Sequence, residues 1–152
     1  MADLLVPLYD LPHKSTPAGF VVRRSLVHEG GTIRNWIEEH FSPGWASEVL
    51  PSVSRTPSTM VLAVERSTGK LAGFCVWDCT ALGFLGPVGV AEEYRGTGVG
   101  RAVTIQVLHS MREQGYGYGI IGGAGPVDFF KSVCRASVIT QSTPGIYPDM
   151  IK

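Results

Sequence analysis

Apolar and polar positions along the chain change period several times, and each change predicts an element. AGFVVRRSLV, residues 18–27, is a strand-like run. After Gly30 and Gly31, Thr32 has the chemistry of a helix cap, and Ile33, Trp36, Ile37 and Phe41 recur at helical spacing. Ser42-Pro43-Gly44 ends that helix and opens another, because Ser42 can cap and proline suits the first helical position. WASEVL is the short second helix. TMVLAVE (59–65) and LAGFCVWDC (71–79) flank the turn STGK, where Gly69 is free to adopt positive φ. LGFLGPVGV (82–90) continues the strands, but Pro87 lacks a ladder donor and stands between Gly86 and Gly89. Two readings follow, a bulged strand or a loop between two shorter ones.

A long helix comes next, with Val99, Val103, Val107 and Met111 on one face and Gly115 as its stop. YGIIGG (118–123) is a short buried strand, PVDFFKSVCR a helix opened by Pro126, and ASVIT (136–140) a last strand. The residues after it form a turn and a short tail. The order β-α-α-β-β-β-α-β-α-β implies a mixed α/β sheet with helices on both faces, in one domain over residues 1–152.

The segment VAEEYRGTGVGRAV, 90–103, places Gly96, Gly98 and Gly100 between Arg95 and Arg101, directly before that long helix. Alternate glycines let the main chain turn its N–H groups one way, and a helix start adds unpaired donors and partial positive charge. Such a concavity suits a phosphate or diphosphate. The rival reading is a glycine-rich surface turn. A dinucleotide fingerprint fails because the third glycine comes one residue early, and no P-loop lysine is present.

Charge balance then narrows the partners. Thirteen basic residues offset thirteen acidic ones in 152, so no net field draws nucleic acid or an acidic membrane. The first fifteen residues lack the pattern of a signal peptide, and no apolar run approaches membrane-spanning length. Cys75, Cys79 and Cys134 read as buried free thiols of a cytoplasmic protein, with Cys75 and Cys79 on the face that carries Trp77. No histidine stands near them, so no metal is expected.

Arg95-x-x-Gly98-x-Gly100, with its lead-in VGVAEEYRGTGVG, resembles the acetyl-coenzyme A loop of the GNAT superfamily of N-acetyltransferases, and the element order agrees over nearly the whole chain. The resemblance implies a mostly antiparallel sheet of six or seven strands with a splayed, bulged central strand. It also implies that the N–H groups of Gly96, Thr97, Gly98, Val99, Gly100 and Arg101 hold the pyrophosphate, with Val88 and Val90 pairing with the pantetheine arm. An N–H at the bulge would polarise the thioester carbonyl.

A second family segment, Asn-x-x-Ala-x-x-Phe-Tyr, corresponds to GAGPVDFF here. Phe129 keeps the aromatic, while Phe130 stands at the coenzyme where a proton-donating tyrosine is usual. Tyr147 or a water is the substitute donor, and STPGIY further resembles bacterial members of unassigned substrate. Asp78, Glu65 and Glu48 are the candidate bases. Asp78 ends an apolar strand where burial would raise its pKa, while His109 reads as a surface residue. Trp45 and Glu48, in the segment between the first helices, are candidates for acceptor binding.

The implied activity is transfer of acetyl from acetyl-coenzyme A to a primary amine, small-molecule or peptide, by direct attack. A non-catalytic acyl-coenzyme A module is the alternative and a nucleotide-binding protein a distant third. The short tail could complete its sheet against a second chain as a homodimer.

Overall fold

A computed structural model describes all residues from Met1 to Lys152. The meander is built as the pattern predicts: β2 (Phe20–Arg24), β3 (Met60–Glu65), β4 (Leu71–Trp77) and β5 (Phe84–Val90) run antiparallel in sequence order. Beyond β5 lie β6 (Tyr118–Ile121), β1 (Leu4–Pro7) and β7 (Ser137–Val138), giving seven strands. β1 is antiparallel to both of its neighbours, so β5 and β6 form the sheet's one parallel pair.

β1 is a strand the pattern did not announce. Leu4 and Val6 point into the core and Leu5 and Pro7 are half-buried, an alternation too short to stand out from its flanks. Its stability comes from partners more than a hundred residues away, Tyr118–Ile121 and Ser137–Val138. Because β1 supplies only two positions to β7, the predicted strand 136–140 contracts to Ser137–Val138.

Other boundaries move for local reasons. The first long helix, α1, spans Gly30–His40 and starts before Thr32, which therefore does not cap it. A 3-10 turn at Val27–Glu29 leads straight in, and the Glu29 carboxylate accepts the Leu26 N–H at 2.8 Å. α2 (Pro43–Glu48) is capped by Ser42, whose Oγ accepts the Trp45 N–H at 3.1 Å. A one-turn helix, α3 (Leu50–Val53), follows. β4 stops at Trp77 because Asp78 turns to φ 55°, and Cys79 thereby leaves the face shared by Cys75 and Trp77. Cys75 and Cys134 are buried, whereas Cys79 is half-exposed.

Helices cover both faces. α1, α2 and α3 close Met60, Leu62, Phe74 and Val76 on one side. α4 (Val99–Gln114) and α5 (Val127–Cys134) close the larger core on the other, around Val61, Cys75, Trp77 and Leu85. Gly89 of β5 is where the first face comes closest: a Cβ there would lie 2.6 Å from Phe41 Cζ and 2.8 Å from Phe74 Cε1. No helix is long and apolar enough to cross a membrane.

Candidate active site

The irregularity around Pro87 is a bulge. Cys75 faces Val88 and Trp77 faces Leu85, so Gly86 and Pro87 together oppose Val76 alone. Pairing with β6 also stops there. Phe84 meets Ile120 and Leu85 meets Ile121, and past this point β5 runs on while β6 turns away through Gly122 and Gly123. The two strands part and leave a cleft of about 930 Å³.

Hydrogen bonding fixes which way the parted strand presents its backbone. The Ala91 N–H donates to the Ala72 carbonyl at 2.9 Å. In the alternating ladder of an antiparallel pair, Gly89 then bonds Phe74, and the N–H and C=O groups of Val88 and Val90 face away from β4. They face the cleft, which both residues line.

At one end of the cleft the glycine segment turns into α4. Gly96 and Gly98 have φ of 78° and 88°, the left-handed region where glycine carries no Cβ penalty. The helix start is pinned by Val99, which is buried with its Cγ1 against Gly73, where an added Cβ would come within 2.8 Å. Six consecutive N–H groups, Gly96 to Arg101, make no hydrogen bond within the protein. The first protein-bound amide is that of Ala102, to the Gly98 carbonyl at 3.0 Å. A row of unpaired donors at the positive end of a sixteen-residue helix fits a diphosphate. Arg95 and Gly100 line this end of the cleft, and Phe129 and Phe130 of α5 pack beside it edge to face. Gly96, Thr97, Gly98, Val99 and Arg101 belong to the loop and helix start without lining the cleft.

The opposite end carries the polar side chains. Glu48, at the end of α2, accepts the Thr80 hydroxyl at 2.5 Å through Oε1. Trp45 stacks on Phe41 with centroids 5.0 Å apart and meets Phe74 edge-on. Tyr147 lines the same end, and its pKa is raised, first by burial and then by the negative charge of Glu48. The Asp3 carboxylate accepts the Gly123 N–H at 2.8 Å, while the Asp3 N–H donates to Ser142 Oγ at 2.8 Å, tying this segment to the cleft wall.

Trp45, Glu48, Val88, Val90, Arg95, Gly100, Phe130 and Tyr147 are thus brought to one cleft. Asp78 and Glu65 are not. Both Asp78 oxygens accept from the Tyr116 hydroxyl at 2.9 Å, and the Gly83 N–H and Gln114 Nε2 complete the set, which holds the β4–β5 turn. Glu65 takes the Thr68 hydroxyl at a hairpin. His109 donates through Nε2 to the Pro12 carbonyl. Thr80 carried no signal in the sequence, since its value lies in meeting a carboxylate 32 residues away.

Residues 31–123, more than half the chain, match the model of the acetyltransferase (GNAT) family, and the chain belongs to that family. It is 32% identical over 69 residues to a mycothiol acetyltransferase of Thermobifida fusca, covering 39% of this chain and 21% of that protein. Among solved structures it resembles a GCN5-related N-acetyltransferase from Sphaerobacter thermophilus, with a TM-score of 0.74 at 20% identity over 91% of this chain and 48% of the other. It also resembles the Escherichia coli GNAT protein YhbS in complex with CoA, with a TM-score of 0.51 at 22% identity over 68% and 63%. The two structural likenesses are of fold. The chain spans about a fifth of the curated relative and about half of the Sphaerobacter chain.

Proposed function

We propose that the protein is a cytoplasmic N-acetyltransferase that moves acetyl from acetyl-coenzyme A to a primary amine by direct attack. The observation that carries this reading is the set of unpaired main-chain groups in and beside one cleft: Val88 and Val90 on the parted strand, which line it, and the Gly96–Arg101 amides at the helix start, of which Gly100 lines its end. When bound, acetyl-coenzyme A supplies an acetyl group already activated as a thioester.

The chain's own residues do the remaining work. Amides from Gly96 to Arg101 hold the diphosphate, with Arg95 and Arg101 adding charge. The backbone of Val88 and Val90 aligns the pantetheine arm as an added strand, and a bulge N–H donates to the thioester carbonyl oxygen. Glu48 draws in an ammonium group and takes its proton, directly or through water. Tyr147 gives a proton to the departing sulfur; a phenol is protonated at neutral pH at its ordinary value of 10.0, and burial and the Glu48 charge raise that value further.

Direct attack is supported by the state of the cysteines. Burial pushes Cys75 and Cys79 above their ordinary values and Cys134 up to about 11, so none is poised as a thiolate nucleophile.

Calorimetric titration with coenzyme A, followed by amine-dependent thiol release from acetyl-coenzyme A, tests the proposal. No binding at high micromolar concentration would sink it. Binding without release by any amine would favour the non-catalytic module, the reading that Phe130 in the tyrosine position supports.

A further inference from the structure

Charge is scarce in the cleft. Among the side chains that line it, only Glu48 and Arg95 are charged, and they belong to different ends. Arg95 adjoins the unpaired amides of the glycine loop. Glu48 is therefore the sole charged side chain that lines the acceptor end, where Trp45, Phe84, Pro144 and Tyr147 supply the remaining surface.

The arrangement at Glu48 is built rather than casual. Thr80 Oγ1 fixes Oε1 at 2.5 Å, and Oε2 has no partner in the protein. One carboxylate oxygen is thus held and the other left to receive a donor. The neighbouring aromatic wall is equally set. Phe41 lies against one side of Trp45 with ring planes 28° apart, and Phe74 presents a ring at 81°. Trp45 is half-buried, so its ring offers a flat surface whose orientation those neighbours have already settled.

Resting on the N-acetyltransferase reading, we infer that the acceptor is a monocationic primary amine with a flat apolar body and no carboxylate. Its ammonium meets Glu48 and its body lies against Trp45 and Tyr147. A second cation on the acceptor would find no second acid lining the cleft, because the Asp3 carboxylate lies behind the wall and is engaged by the Gly123 N–H. A carboxylate beside the amine would face Glu48 with no basic side chain to offset it. Thr80 acts here as a positioning residue, aiming Glu48 Oε2.

The test compares 2-phenylethylamine, its carboxylated analogue phenylalanine, n-butylamine and spermidine at saturating acetyl-coenzyme A. Calorimetry with coenzyme A is run first on the same preparation. The expected order of kcat/KM places 2-phenylethylamine first, with phenylalanine at least about 10²-fold lower, the scale of a like-charge juxtaposition. Glu48→Gln narrows the gap between 2-phenylethylamine and phenylalanine, because it removes attraction for one and repulsion for the other. Thr80→Val raises KM for 2-phenylethylamine more than it lowers kcat, and Thr80→Ser restores it.

If coenzyme A binds and phenylalanine or spermidine is acetylated faster than 2-phenylethylamine, the acceptor class is wrong while the transferase reading stands. An unchanged gap in Glu48→Gln also overturns it. If coenzyme A does not bind, or no amine releases thiol, the transferase reading fails and takes this inference with it.

Discussion

Asp3 and Gly123 are joined across 120 positions of sequence by a 2.8 Å hydrogen bond from the Gly123 N–H to the Asp3 carboxylate. Asp3 is buried, and the same residue reaches the C-terminal segment: its N–H donates to Ser142 Oγ, and its carbonyl accepts the Ile139 N–H. The chain start, the turn after β6 and the segment carrying Tyr147 are thus fastened at one point.

Asp3→Ala should accordingly loosen the acceptor end and spare the diphosphate end. The Gly123 amide loses its partner, at a cost of about 1–3 kcal/mol where it remains buried. Coenzyme A affinity should hold within a few-fold while kcat falls. Limited proteolysis should cut residues 139–147 faster than in the parent protein. A variant that loses coenzyme A binding and keeps kcat would contradict this arrangement.

Tyr147→Phe should lower kcat by about 10²-fold, the small end of general acid contributions, because a thiolate leaves readily. The sign of its pH effect follows from the raised pKa. The phenol is protonated, and active as an acid, at every pH below its folded value. Activity of the parent should therefore decline only above the ordinary tyrosine value of 10.0. Tyr147→Phe should lack that alkaline limb, and a limb that survives the substitution belongs to another group.

Asp78→Ala separates structure from catalysis. Removing this carboxylate leaves the Tyr116 hydroxyl, the Gly83 N–H and Gln114 without their acceptor, so a loss of about 1–3 kcal/mol in unfolding free energy is expected. Below the midpoint of its thermal transition, the folded variant should turn over near the parental rate. A kcat loss above about 10²-fold in fully folded Asp78→Ala would restore it as a candidate base.

The meander, the long helices and the glycine loop were legible because their signals are local: period, caps and Gly spacing within a few residues. Ser42 caps α2 as its chemistry predicts, and Gly69 and Gly115 take positive φ at the expected turns. β1 was not legible, since four residues of alternation gain their meaning only from β6 and β7. Asp78 misled for a related reason. Its strand-end position was visible, but the Tyr116 and Gln114 groups that engage it arrive from more than thirty residues away. Thr80 beside Glu48 escaped notice on the same grounds, whereas the bulge at Gly86–Pro87 announced itself through proline's missing donor.

Two glycines of the loop should respond differently. Gly98 sits at φ 88°, so Gly98→Ala should cost about 1–2 kcal/mol in stability and also weaken coenzyme A binding. Gly100 is helical, where alanine is favoured over glycine by about 1 kcal/mol. Its new Cβ would stand 3.2 Å from Val90 Cγ2 and 3.6 Å from Phe129 Cζ, both cleft-lining residues. Gly100→Ala should thus keep the midpoint of thermal unfolding and still raise the Kd for coenzyme A. Parallel melting and calorimetry read the two effects apart, and unchanged coenzyme A affinity in both variants would remove the loop from the binding site.

Acid stability gives a check on the other side of the sheet. Arg23 donates to both Glu29 oxygens at 2.8 and 2.7 Å, and Leu26 adds its N–H, which together lower the Glu29 pKa from 4.5 to about 2. A carboxyl whose folded pKa is depressed stabilises the protein above its unfolded value and loses that contribution as pH falls through the folded one. The pair is partly exposed, with side-chain accessibilities of 36% and 24%, so screening limits its worth to about 1 kcal/mol. Urea midpoints of the parent and Glu29→Gln should differ by a constant amount between pH 7 and 5. The difference should close between pH 4.5 and 2, as the parent's carboxyl takes up its proton. A gap that persists unchanged at pH 2 would mean that the Arg23–Glu29 ion pair is not its source.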